Sequence, residues 1–204
     1  MPIVLSRSAQ ALAALLALAV GLFSLRYLLP EIPVAAPNVM ANPFAPFALP
    51  IHAGLGATAL IVGPLQFIRR TDGRRAPWHR VTGGIYMACC LGSAPAGLLL
   101  ALGATTGPIS TVGFGLLAIV WVWTTAMGLR AVLAGRYTAH GRWMVRSFAL
   151  TFAAVTLRLY MPLGAVLPVN GEDAYRAIAF LCWVPNLVAA ELWLSSRLRA
   201  AGAR

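Results

Sequence analysis

The sequence predicts an all-α polytopic membrane protein, a helical bundle of about six transmembrane helices that forms one domain over residues 1–204. Hydrophobic residues make up 60% of the chain and charged residues only 10%, and the mean hydropathy is +0.79. So few charges cannot cover a water-soluble surface. The apolar residues also fall in blocks of about twenty, the length at which a helix crosses a hydrocarbon layer of ~30 Å. The alternating pattern of a membrane barrel is absent.

Six apolar blocks define the predicted spans 1 to 6, and each should be helical because unpaired backbone groups are costly in lipid. In chain order the blocks are residues 8–29, 47–67, 81–102, 109–133, 143–167 and 174–195. Span 1 follows Arg7. Its apolar stretch is longer than that of a typical secretory signal, and no small-residue cleavage site stands out. We therefore expect span 1 to be an uncleaved anchor.

Small residues and prolines predict how the spans pack. Span 3 carries small residues at a spacing of four, which predicts a flat seam where another helix approaches closely. The residues of this seam are Gly84, Ala88, Gly92 and Ala96. Prolines in four of the spans should kink or end their helices, a disturbance that membrane bundles tolerate. These prolines are Pro64, Pro95, Pro162 and Pro185.

The positive charge predicts orientation. All sixteen basic residues are arginines, and they give a net charge of +11. Most flank the apolar blocks, whereas a nucleic-acid-binding domain would gather them on one soluble face. Arginines concentrate after span 2, after span 4 and in the C-terminal tail: Arg69, Arg70, Arg74, Arg75, Arg80, Arg130, Arg136, Arg142, Arg146, Arg197, Arg199 and Arg204. The positive-inside rule then places both termini in the cytoplasm.

Polar side chains recur along one face of span 2 and one face of span 5. In span 2 the residues of this face are His52, Gly56, Ala59, Gly63 and Gln66. In span 5 they are His140, Ser147, Thr151 and Arg158. Because polar groups are expensive in lipid, both stripes should face the interior of the bundle. With the predicted orientation, His52 and Arg158 form an outer cluster, whereas Gln66, His79, His140 and Glu191 lie near the inner face.

The inner cluster is compatible with several roles. One is a haem b or quinone site, in which His79 and His140 would be the metal ligands at matching depth on different helices. In that site the arginines Arg80, Arg142 and Arg146 would hold the propionates. The alternative is that both histidines are interfacial residues that bind backbone carbonyls or lipid phosphate.

The outer cluster and Glu191 also have two readings each. His52 could relay protons or bind an anion together with Arg158, or Arg158 could be a structural arginine bonded to carbonyls and hydroxyls of neighbouring helices. Glu191 should pair with Arg146, Arg130 or a histidine because an unpaired carboxylate is costly at that depth. It is also a candidate for a proton relay.

Signatures of soluble enzymes are missing from the sequence. It contains no phosphate-binding glycine loop, no HExxH and no GxSxG. The three cysteines, Cys89, Cys90 and Cys182, lie in apolar blocks without the spacing of zinc ligands, so we interpret them as small apolar residues. The sequence therefore favours a protein that is not an enzyme.

Three segments resemble the bacterial multi-pass membrane proteins of domain-of-unknown-function family 2306. They are HAGLGATALIVGPLQF, RRAPWHRVTGGIY and HGRWMVRSFALTFAAVTLRLYMP, within a family-like core of about residues 47–167 that helices 8–29 and 174–195 flank. The resemblance singles out His52, Gly63, Pro64, Gln66, Phe67, His79, Arg80, Tyr86, His140, Arg142, Trp143, Met144, Arg146 and Arg158. Gly84 and Gly141 depart from the family pattern by standing where basic residues are expected. The resemblance implies a helical membrane domain in a bacterial cytoplasmic (inner) membrane and no established activity.

The sequence is compatible with three functions. The first is a non-enzymatic membrane protein whose histidine, arginine and glutamine side chains bind a small ligand or a lipid headgroup. The second is a redox component that holds one b-type haem, or a quinone, through His79 and His140. The third is a small transporter or proton relay that uses His52, Arg158 and Glu191. Membrane lipids are the expected partners, and nucleic acid is not.

Overall fold

The computed structural model describes residues 7–29, 31, 37–68, 77–166 and 168–202. These residues form helices and connections and contain no strand. The helices are α1 (Arg7–Ser24), α2 (Pro37–Met40), α3 (Ala45–Val62), α4 (His79–Leu102), α5 (Pro108–Leu133), α6 (Tyr137–Thr151), α7 (Ala153–Val166), α8 (Gly171–Leu181) and α9 (Val184–Gly202). Short 3-10 turns, Leu25–Leu28 and Pro64–Phe67, extend α1 and α3. Arg69, Arg70, Arg74, Arg75 and Arg204, which carry part of the predicted orientation, lie outside the described residues.

Six helical stretches are long and apolar enough to cross a membrane, which confirms the predicted fold class. Spans 1 to 6 run over Ser8–Leu28, Ala45–Phe67, His79–Leu102, Pro108–Leu133, Tyr137–Val166 and Gly171–Arg199. Only 17% to 39% of the residues in the most apolar window of each span are buried. Large apolar side chains such as Leu133, which is 80% exposed, point outward, while Ser93 and Thr125 are fully buried. This distribution suits a protein surrounded by acyl chains.

Spans 2, 3, 4 and 5 form the centre of the bundle. Each packs against the next in the chain, and α6 of span 5 returns to contact α3 of span 2, which closes a ring of four helices. Span 1 packs on the outside of spans 2 and 5, and span 6 packs on spans 4 and 5. The ring therefore has an interior that four spans share.

The connections define the two ends of the bundle. The end of span 2, the start of span 3 and the connection between spans 4 and 5 lie at what we call the arginine-rich end, which carries Arg80, Arg136 and Arg142. The opposite, arginine-poor end holds the start of span 2 and the end of span 3, where the Asn42 side chain donates to the carbonyl of Leu100 over 2.7 Å. Asn42 thereby fixes the start of span 2 beside the end of span 3.

Span 5 is interrupted at a position that its proline does not predict. Helix α6 ends at Thr151 and α7 begins at Ala153, with Phe152 in a turn, whereas α7 continues through Pro162 to Val166. The amide of Val155 bonds the carbonyl of Phe152 over 2.9 Å, a tightened i to i+3 bond. The Thr151 hydroxyl also bonds the carbonyl four residues earlier, a contact that bends helices.

Span 6 is interrupted close to where its proline predicts. Residues 182–183 form a turn between α8 and α9, and Pro185 lies in the first turn of α9, where its missing N–H costs nothing. The Asn186 side chain donates to the Thr156 hydroxyl over 3.1 Å and to the Cys182 carbonyl over 3.0 Å. The break in span 6 is thus tied to span 5.

The predicted seam on span 3 is only half correct. A Cβ at Gly92 would lie 2.8 Å from Leu55 of span 2, so close approach does occur there. At Gly84 a Cβ would meet nothing within 4 Å, and Ala88 is exposed. A second close approach lies at Gly97, which is not one of the seam residues. The spacing of small residues predicted a contact with another helix, but it could not predict that only the Gly92 half of the seam makes this contact.

Candidate functional site

A cavity of about 250 Å³ lies inside the bundle, toward the arginine-poor end. At ~30 Å³ per water in the liquid, this is roughly the volume of eight water molecules. Spans 1 to 6 all contribute to its wall. His52 and Arg158 both line it, and we call it the His52–Arg158 cavity. Tyr27 and Tyr175 add hydroxyl groups from spans 1 and 6.

His52 and Arg158 lie at similar depth. His52 is seven residues after the first residue of α3, and Arg158 is eight residues before the last residue of α7. At 1.5 Å per residue, both lie about 10 to 12 Å into the bundle. The geometry therefore brings His52 and Arg158 to one cavity.

The His52 ring is held by span 3. Its Nδ1 is 3.0 Å from the carbonyl oxygen of Ser93 and 3.1 Å from the Ser93 hydroxyl, which donates to the His52 carbonyl over 2.9 Å. Gly97 makes room for the ring, because a Cβ there would lie 2.8 Å from Nδ1. A carbonyl oxygen can only accept, so Nδ1 carries the proton and the neutral ring presents the Nε2 lone pair.

Arg158 has no carboxylate partner in the described part of the chain. One guanidinium nitrogen donates to the carbonyl of Ala154, one turn earlier, over 3.0 Å. Three of the four described carboxylates pair elsewhere: Glu172 and Asp173 with Arg176, and Glu191 with Arg146. The fourth, Glu31, is exposed. A guanidinium with spare donors, and without a carboxylate partner among the described residues, therefore faces the cavity.

A buried set of hydroxyl and indole groups forms the floor of the cavity and continues beneath it. The Thr151 hydroxyl accepts from the Trp121 indole N–H at 3.0 Å and bonds the Tyr86 hydroxyl at 2.8 Å. Tyr86 also bonds Ser147 at 3.0 Å, and Ser147 bonds Thr125 at 2.8 Å. We call these five residues the hydroxyl network. It joins spans 3, 4 and 5 in the centre of the bundle.

Sequence reasoning did not assign Trp121 and Thr125 to the interior. Both are at most 6% exposed, in a span whose composition is almost wholly apolar. The spacing of four between Trp121 and Thr125 places them on one helix face. Side chains that can form hydrogen bonds and recur at this spacing in span 4 were the pattern that could have predicted their position.

Gln66, at the arginine-rich end, lies beside His79. With its amide oriented so that both ends are satisfied, Gln66 accepts from the Thr82 hydroxyl at 2.6 Å and from the Gly83 amide at 3.2 Å. Its amide nitrogen donates to Nδ1 of His79 over 2.9 Å. Gln66 therefore connects span 2 to the start of span 3.

The two inner histidines differ in a way that bears on haem. Nδ1 of His140 is 2.9 Å from the Gly128 carbonyl, so it donates and leaves Nε2 free to coordinate, as in many metal sites. Nδ1 of His79 instead accepts from Gln66, which places the proton of a neutral ring on Nε2. His79 thus does not fit axial ligation through Nε2.

The remaining predicted residues lie at the arginine-rich end. Arg146 and Glu191 form a bidentate ion pair, with N···O distances of 2.5 and 2.8 Å, that joins spans 5 and 6. Arg146 also lies over the Trp143 ring at 4.9 Å. Arg80 and Arg142 are exposed. Their positions separate these residues from the His52–Arg158 cavity.

Comparison with known proteins identifies the family of the chain. Residues 49–194 match the family described as a predicted membrane protein, DUF2306. The match begins within span 2 and ends within span 6, and it leaves span 1 outside. No curated protein and no solved structure matches the chain. Because the match covers more than two thirds of its length, the chain belongs to the DUF2306 family of membrane proteins.

Proposed function

We propose that this chain is a non-enzymatic membrane protein that binds a small anion in the His52–Arg158 cavity. The observation that carries the proposal is the Arg158 guanidinium, which faces the cavity with no carboxylate partner among the described residues. A charge inside a membrane bundle is costly unless it is compensated. A bound anion would compensate it and would gain charge-assisted hydrogen bonds.

A thermal-shift experiment tests this proposal. The purified full-length protein in detergent is heated with and without hexanoate, beside the variants Arg158→Gln and Arg142→Gln. Arg142 is the matched control because it is an exposed arginine at the other end of the bundle. A ligand at 100 times its Kd stabilises a protein by about 2.7 kcal/mol. We expect the melting temperature to rise in wild type and Arg142→Gln only. No rise in wild type, or an equal rise in Arg158→Gln, would refute the proposal.

A proton relay is the second candidate. It is supported by the hydroxyl network, which begins at the cavity floor with Thr151 and continues to Ser147. The relay predicted from the sequence also uses Glu191, whose pairing with Arg146 would have to open during transfer. Identical pH changes in vesicles that contain wild type or Arg158→Ala would count against this candidate.

We also propose that the bundle lies in a bacterial cytoplasmic membrane with both termini in the cytoplasm. The arginines at one end support this orientation through the positive-inside rule. The exposed side chains Arg80 and Arg142 would then meet the phosphates of inner-leaflet lipids. Reporter fusions at each terminus test the orientation, and a fusion active only in the periplasm would contradict it.

A further inference from the structure

Two of the polar side chains that line the His52–Arg158 cavity differ in what they offer a ligand. Arg158 can only donate, and it carries a positive charge. His52 presents the lone pair of Nε2, because its Nδ1 proton is used by the Ser93 carbonyl. A ligand that satisfies both side chains therefore needs a negative charge and a hydrogen-bond donor.

A simple carboxylate or sulfate meets only half of this requirement. Each is an acceptor only, so it could pair with Arg158 but would leave Nε2 of His52 facing another acceptor. A buried acceptor that is left without a donor costs affinity. A 2-hydroxycarboxylate or a monoprotonated phosphate monoester carries both the charge and an O–H group.

The floor of the cavity accepts no further hydrogen bond. The Thr151 hydroxyl is engaged with the Trp121 indole, the Tyr86 hydroxyl and the carbonyl of Ser147. Apolar groups of Leu60 and Leu150 complete this region. Arg158 and Thr151 are seven residues apart, about 10 Å along the helix, which is room for a tail of about six carbons. The floor therefore favours an apolar tail, and the polar head lies toward Arg158.

We propose that the ligand is an amphipathic anion whose head also donates a hydrogen bond, with a short apolar tail directed at Trp121. The head is a 2-hydroxycarboxylate or a phosphate monoester, which share this chemistry. Arg158 neutralises the charge, and Nε2 of His52 accepts from the O–H of the head. The inference rests on the proposed function and adds the class of ligand to it.

Calorimetric titration with two matched pairs of probes tests this inference on the purified full-length protein. The first pair is 2-hydroxyhexanoate and hexanoate, and the second is monohexyl phosphate and hexyl sulfate. Within each pair the tail is the same, and only the first member can donate from its head. We expect the donor-bearing member of at least one pair to bind about tenfold more tightly, and that pair identifies the head. Empty micelles control for partition of the tails.

Variants show which side chain recognises the charge of the ligand head and which recognises its hydrogen-bond donor. In His52→Leu the preference within the pair should fall below about twofold, whereas Arg158→Gln should weaken both members about tenfold or more, and Arg142→Gln should change neither. Equal binding within both pairs in wild type would overturn this inference and leave the small-anion function standing. Binding of none of the four probes would overturn both. Because the comparison within wild type needs no variant, it holds even if His52→Leu does not fold.

Discussion

Thr151→Val should destabilise the protein more than Tyr86→Phe, although both changes remove one hydroxyl from the same network. The Thr151 hydroxyl is the acceptor for the Trp121 indole N–H, and its loss leaves that buried donor without its partner. A buried donor without a partner lowers the free energy of unfolding by about 1 to 3 kcal/mol. The loss of an average hydrogen bond between membrane helices lowers it by only about 0.6 kcal/mol. Thr151→Val should therefore cost about 2 to 3 kcal/mol. In Tyr86→Phe, Ser147 keeps its bond to Thr125, so the cost should be about 1 kcal/mol.

Unfolding by sodium dodecyl sulfate in mixed micelles, followed by far-UV circular dichroism, measures both free energies of unfolding. Thr58→Val is the matched control, because the Thr58 hydroxyl bonds only the Gly54 carbonyl of its own helix. We expect Thr58→Val to change the free energy of unfolding by less than about 0.5 kcal/mol. The double variant of Tyr86 and Thr151 should cost less than the sum, since one bond is shared. If Tyr86→Phe proved as costly as Thr151→Val, the reasoning about the stranded indole donor would be wrong.

Three further predictions concern packing, charge and cofactor. Gly97→Ala should lower the free energy of unfolding by about 1 to 3 kcal/mol, because the new methyl group would overlap the His52 ring. Gly84→Ala should raise it by about 0.5 to 1 kcal/mol, because a methyl group there meets nothing within 4 Å and alanine favours the helix. Thermal unfolding of both variants tests the contrast. Arg146→Gln should cost about 1 to 3 kcal/mol because it leaves the Glu191 carboxylate of span 6 without its ion-pair partner, and the double variant that exchanges the two charges should regain part of the loss in the same assay. The purified protein should show no Soret band even after haem supplementation, and a band that substitution of either inner histidine abolishes would contradict the tautomers inferred above.

The fold followed from the sequence because length and hydropathy decide what crosses a bilayer. The structure places span 2 at Ala45–Phe67 and span 4 at Pro108–Leu133, within two residues of the predicted boundaries. The start of span 5 was less accurate, because the arginines before residue 143 ended the apolar block while the helix begins at Tyr137. The break at Phe152 depends on local hydroxyl bonding, which hydropathy does not report.

The site was only partly predictable. Periodicity placed His52 and Arg158 on polar faces, and both line one cavity in the structure. Periodicity alone could not show that the ring of His52 depends on Ser93 and Gly97 of another span, since the register between helices is set by packing. Arg146 was one of the three kinds of partner that the sequence predicted for Glu191, and the structure shows a bidentate ion pair between them.

Span 1 has a bearing on how this family can diversify. It lies outside the matched residues 49–194, yet Ser24 and Tyr27 form part of the wall around the His52–Arg158 cavity. Its most apolar window is the least buried of the six, at 17%, so its sequence is under the weakest packing constraint. Substitutions at Ser24 and Tyr27 would therefore change the wall of the cavity from a helix that lies outside the four-helix ring.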